Sequence, residues 1–93
     1  MSITSHGVTL YTTRYCPYCV RAKELLDKKG VTYTEIAVDN DPQSRREMVD
    51  LCGRTSVPQI WIGGQHIGGC DEMVMLERQG RLDECVERAF AKP

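Results

Sequence analysis

At 93 residues, with 41% hydrophobic and 27% charged residues, the chain has the size and composition of one soluble globular domain spanning 1-93. No apolar run approaches the ~18 residues of a transmembrane helix, and Met1 to Gly7 lacks a signal-peptide core, so no membrane role and a cytoplasmic location are expected. A net charge of −1 gives no footprint for nucleic acid.

Val8-Thr9-Leu10-Tyr11-Thr12 is β-branched and aromatic, and predicts a first strand followed by the loop Thr13-Arg14-Tyr15. Cys16-Pro17-Tyr18-Cys19 then leads into a helix running to about Lys29. Cys16 stands where an N-cap belongs, and Pro17 suits the first helical position, where a missing N–H costs nothing. Val20, Ala22, Leu25 and Leu26 supply the expected apolar side, and Gly30 a left-handed cap. Thr32 to Val38 reads as a second strand; strand, helix and strand in about thirty residues make a βαβ unit with parallel strands. Asp41 and Pro42 open a second helix, with Met48, Val49 and Cys52 on one face and Gly53 at its end.

Val57-Pro58-Gln59-Ile60-Trp61-Ile62 reads as a strand beginning near a proline, Gly63-Gly64 as a two-residue turn, and Gln65-His66-Ile67 as the antiparallel return. His66 is expected on the strand surface, and Trp61 in packing under a helix. A third helix is predicted from Glu72 to about Gln79 and a fourth carries Leu82, Val86, Ala89 and Phe90. The order β-α-β-α-β-β-α-α predicts an α/β architecture: a four-stranded mixed sheet with helices on both faces.

The chemistry centres on Cys16 and Cys19. A Cys-X-X-Cys pair between a strand and a helix reads as a thiol–disulfide redox motif. A thiolate on Cys16 can accept N–H bonds from the first helical turn, which favours the anion and lowers its pKa from about 8.5 toward roughly 3.5–7.5. Cys19, one turn on, is the partner for a disulfide. Zinc is disfavoured, since a second such pair is missing and His6 and His66 fall at no ligand spacing. A purely structural bridge would close a loop too small to add much stability. Five cysteines without a signal peptide indicate a reducing compartment. Cys52 and Cys85 are expected as small core residues. Cys70 has two open readings: a passive thiol, or one activated by a helix start like Cys16. Arg14, Arg21, Arg45, Arg46 and Arg54 are the cations that are candidates to gather near the motif.

Cys16-Pro17-Tyr18-Cys19, Ser56-Val57-Pro58 and Gly68-Gly69-Cys70-Asp71, in this order and spacing, resemble a glutaredoxin of the short bacterial dithiol type, over roughly residues 7–91. The resemblance implies a thioredoxin fold and an enzyme that is a glutathione-disulfide oxidoreductase. Glutathione is then a co-substrate, and no cofactor or metal is permanently bound. It implies a cis Pro58 against the cysteines, Val57 pairing its backbone with the cysteinyl unit of glutathione, and Tyr18 and Pro58 among the residues that bind glutathione. It also implies that Cys70 and Asp71 receive the γ-glutamyl end. Backbone N–H groups at a helix start suit a carboxylate independently of any resemblance, and the Asp71 side chain suits the neighbouring amino group. The family's usual lysine falls at Thr13, so the glycine carboxylate is expected at Arg45, with Arg14 as the alternative. Ser56 replaces the usual threonine and keeps its hydroxyl.

The implied partners are protein disulfides and glutathionylated proteins, with ribonucleotide reductase as a candidate, and the chain is expected to act as a monomer. The implied redox potential is about −200 to −230 mV. Two competing readings stand beside this one. The chain could be served by thioredoxin reductase, against which Asp71 and Arg45 argue. Or it could carry an iron–sulfur cluster, which needs four thiolates and hence a dimer with two glutathiones; Pro17 and a competing Cys19 argue against that.

Overall fold

Alternation along the two central strands decides the layers. In the computed structural model, which describes residues 7–91, strand β1 (Val8–Thr12) is buried along its whole length. Val8 and Leu10 face one core with Ile60 and Ile62 of strand β3 (Gln59–Ile62), while Tyr11 and Trp61 face a second core on the other side. Period-two side-chain direction lets each strand serve both faces. The polar stretch 1–6, with His6, lies outside the described residues.

The strand order is β2-β1-β3-β4. Strand β2 (Thr34–Ala37) runs parallel to β1, with Thr9 opposite Thr34 and Thr12 opposite Ala37. It is shorter than the expected Thr32–Val38, because an edge strand is hydrogen-bonded only where its single neighbour extends. Strand β3 is antiparallel to β1, and β4 (Gln65–Gly68) is antiparallel to β3. The β3–β4 turn is Gly63-Gly64, with φ of 61° and 85°, the left-handed pair that a two-residue hairpin requires.

Helices α1 (Pro17–Lys28), α3 (Cys70–Arg78) and α4 (Leu82–Phe90) contribute to the larger core through Ala22, Leu26, Met73, Leu82 and Ala89. Helix α2 (Pro42–Cys52) covers the other face through Met48 against Tyr11 and Trp61. This is the α/β sandwich that the element order predicted. At the end of α1, Lys29 Nζ pairs with Glu77 of α3 at 2.9 Å and Asp83 of α4 at 2.8 Å, tying the three helices together.

Besides the shorter β2, three boundaries or placements differ from the sequence reading. The α1 stripe is Cys19, Ala22 and Leu26, spaced i, i+3 and i+7, which leaves Val20 rotated away and 45% exposed. Pro58 and Val57 precede β3 instead of beginning it. Helix α3 starts at Cys70, two residues before Glu72, because the Glu72 carboxylate reaches back to the Gly69 N–H at 2.7 Å and satisfies a donor left open at the helix start. Cys52 and Cys85 are half-buried beside the two cores, as packing residues should be.

Leu26→Ala should therefore cost about 2–5 kcal/mol in equilibrium urea unfolding. Val20→Ala, despite removing a similar aliphatic group from the same helix, should stay within about 0.5 kcal/mol.

Candidate active site

Cys16 is the N-cap of α1, with extended backbone at φ −118° and ψ 108°. Its sulfur accepts the Cys19 N–H at 3.1 Å, so a backbone donor of the first turn points at the sulfur. In its thiol form Cys16 donates to the Val57 carbonyl, 3.7 Å away. The sulfur is thus held between a helix start and the loop that enters β3. Val57-Pro58 is a cis peptide, as expected, and Pro58 is buried.

Cys16 and Cys19 differ in environment. Cys16 is partly open to solvent, whereas Cys19 is 1% exposed under the helix. Burial, then its hydrogen bond with Cys16, pushes the Cys19 thiol up to about 12. At neutral pH Cys19 therefore keeps its proton while Cys16 faces incoming reagents. All five cysteines are free thiols in this structure.

Beside the pair runs a groove of about 150 Å³. One wall is Tyr18 and the Ser56-Val57-Pro58 loop, with Arg54 and Gln59; the other is the start of α3, from Gly69 through Cys70 and Asp71 to Glu72. Five of the residues singled out from the sequence (Tyr18, Val57, Pro58, Cys70 and Asp71) are thus brought together. Arg14 and Arg45 do not line the groove. The Arg14 N–H binds the Asp39 carboxylate at 3.2 Å, and the Arg45 guanidinium donates to the Thr55 carbonyl at 3.0 Å, beside the loop leading to Ser56.

Arg54 is the cation that lines the groove. It pairs with Glu72 at 3.3 Å. The Gly69 N–H, and then Arg54, hold the Glu72 carboxylate below its ordinary range. A β-carbon on Gly68 would overlap that carboxylate, and the φ of 118° there suits glycine. Sequence reasoning counted Arg54 only among five arginines and gave Glu72 no role beyond a helix start. The available signal was the spacing of Gly69 and Glu72, three residues apart.

Cys70 resolves one open reading. It is 5% exposed, and burial followed by the adjacent Asp71 carboxylate raises its pKa. It occupies the first helical position, not the cap, so the activation reading does not hold. His66 is not a plain surface residue either: its Nε2 lies 2.7 Å from Gln59 Oε1, and its ring packs on Trp61 at 4.7 Å.

A Cys-X-X-Cys at a helix N-terminus, set against a cis-proline loop on a β-α-β-α-β-β-α-α sheet, defines the thioredoxin-fold thiol–disulfide oxidoreductases. The glutaredoxin family model matches residues 8–67. A glutaredoxin of Pseudomonas aeruginosa is 57% identical over 76 residues, covering 82% of this chain and 90% of that protein. Glutaredoxin 3 of Escherichia coli K12 is 51% identical over 77 residues, covering 83% and 93%. Among solved structures, the buckwheat glutaredoxin–glutathione complex superposes with a TM-score of 0.84 at 32% identity, over 95% of this chain and 84% of that one. The solution structure of Brucella melitensis glutaredoxin gives 0.80 at 42% identity, over 96% and 97%. The chain belongs to the glutaredoxin family, and it is a thiol–disulfide oxidoreductase.

The raised Cys19 pKa links redox chemistry to stability. The fold favours the neutral thiol, so its contribution is complete below the ordinary value of 9.0 and is lost as pH rises toward about 12. Urea midpoints of the reduced protein should fall across that alkaline range. Cys19→Ser should flatten the fall, leaving the smaller slope due to Tyr11, Tyr33 and Cys70, whose values burial also raises, and to Lys23 and Lys29, whose values their carboxylate partners raise.

Proposed function

We propose that the enzyme is glutathione-dependent, reducing glutathione mixed disulfides and protein disulfides through Cys16 and Cys19. The observation that carries this is the position of the Cys16 sulfur, 3.7 Å from the Val57 carbonyl, beside a groove that ends at the start of α3. An extended tripeptide has candidate partners along that path and beside it. The Val57 backbone is offered to the cysteinyl unit as to an added strand. The N–H groups of Cys70 and Asp71 face the γ-glutamyl carboxylate, and the Asp71 side chain the amino group. Tyr18 and Pro58 wall the path. The glycine carboxylate is assigned to Arg45, tied to the loop at Thr55, with Arg14 as the alternative. The related buckwheat protein was crystallised with glutathione, which supports the same ligand here.

In the proposed cycle the Cys16 thiolate attacks the glutathionyl sulfur of a mixed disulfide. A Cys16–glutathione bond forms, and the substrate leaves as a thiolate that takes a proton. A second glutathione thiolate attacks the bound glutathionyl sulfur, forming glutathione disulfide and restoring Cys16. With a protein disulfide, Cys16 attacks first. Cys19 then attacks the Cys16 sulfur, its proton passing to the departing substrate thiolate. The Cys16–Cys19 disulfide is reduced by two glutathiones. Burial of Cys19 serves this order, since it is not exposed to compete for the first attack. Cytoplasmic action as a monomer, with glutathionylated proteins and ribonucleotide reductase as candidate substrates, completes the proposal.

Cys16→Ser should abolish both activities, while Cys19→Ser should retain mixed-disulfide turnover and lose protein-disulfide reduction. Asp71→Ala should raise KM for the mixed disulfide about tenfold, the loss of one charged hydrogen bond. The deciding assay couples turnover of a small glutathione mixed disulfide either to glutathione with glutathione reductase or to thioredoxin reductase. Turnover with the second system alone would remove glutathione from the cycle.

A further inference from the structure

Gln59 is a long polar side chain with 1% exposure, at the first position of β3. A buried amide is costly unless its donors and acceptor are used. Its Nε2 lies 3.0 Å from the Ser56 carbonyl and 3.3 Å from the Ser56 hydroxyl. Its Oε1 lies 2.7 Å from His66 Nε2 on β4. The chemistry of the partners orders the whole chain of bonds. A carbonyl oxygen only accepts, so the Gln59 NH₂ must face Ser56. The amide oxygen must then face His66, and His66 Nε2 must carry the proton. Trp61 backs the His66 ring at 4.7 Å.

The Gln59 side chain therefore folds back over the three residues before it and closes the Ser56-Val57-Pro58 loop on itself. That loop presents the Val57 carbonyl to the Cys16 sulfur and walls the groove. We propose that Gln59, braced by His66, is a positioning residue that sets the Val57 peptide at the height where a substrate backbone can pair with it. This rests on the reading of the groove as the glutathione site. His66 donates through Nε2 as the neutral tautomer or as the cation, so the brace does not open with pH. Arg54 and Glu72 are the charged groups that act on it, and burial followed by Arg54 keeps its pKa below the ordinary value.

The test separates substrate placement from the reactivity of Cys16, because alkylation by iodoacetamide needs no backbone partner. In Gln59→Leu, KM for a small glutathione mixed disulfide should rise about tenfold with kcat within about twofold. The iodoacetamide rate of Cys16 should change far less than KM, and the amide resonances of Ser56 and Val57 should shift and exchange faster. His66→Phe, which keeps a ring on Trp61 and removes the donor, should move the same readouts in the same direction, with KM up about threefold. An unchanged KM and unchanged Val57 amide in Gln59→Leu would overturn the proposal, as would an alkylation rate that falls in parallel with kcat/KM. Should Gln59→Leu not fold, His66→Phe decides by the same criteria. Absence of glutathione turnover in the unmodified protein would instead remove the glutathione reading, and the Val57 amide would still decide whether the clamp exists.

Discussion

Everything in the site depends on two backbone groups, far apart in sequence, meeting at one sulfur. The Cys19 N–H reaches Cys16 at 3.1 Å from one side, and the Val57 carbonyl lies 3.7 Å away on the other. The sheet makes this meeting unavoidable. Tyr11, near the end of β1, pairs with Gln59, at the start of β3, and the two strands are antiparallel. The chain leaving β1 and the chain entering β3 therefore emerge together at one end of the two central strands. The motif loop and the Val57 loop are neighbours because of that register, and a shift by one residue would turn every core side chain of β3 to the wrong face.

Two cysteines of one motif acquire different environments through burial. The cap position gives Cys16 a backbone donor and leaves it open to solvent, while one helical turn later Cys19 is sealed under α1. Desolvation outweighs the helix N-terminus at a buried thiol, since the neutral form loses nothing on leaving water. Cys70 obeys the same rule. It too begins a helix, yet burial and Asp71 raise its pKa.

The groove walls are held by side chains that act on backbone. Glu72 fixes Gly69 and draws Arg54 across to it, so the start of α3 is tied to the segment before Ser56. Such exposed ion pairs add little to global stability. Their effect is local, in holding the α3 wall to the loop wall. Gln59 does the same from within the protein, through a buried amide bonded to Ser56.

Features carried by neighbours in sequence were legible from the chain alone. The Cys16 cap with Pro17 behind it, the Asp41-Pro42 helix start, the Gly63-Gly64 turn and the β-α-β-α-β-β-α-α order all depend on backbone chemistry within a few residues. They stand in the structure as read, and the three motifs in register pointed to the family. What tertiary structure decided was burial and convergence. It turned Val20 outward and Cys19 inward, put Arg54 in the groove and Arg45 beside it, and raised the Cys70 thiol. It also made a surface-looking His66 the brace of a buried glutamine. Caps and turns are satisfied by adjacent backbone, so a local pattern reveals them. Solvent access and the pairing of distant side chains depend on strand register and helix packing, which a linear pattern does not contain.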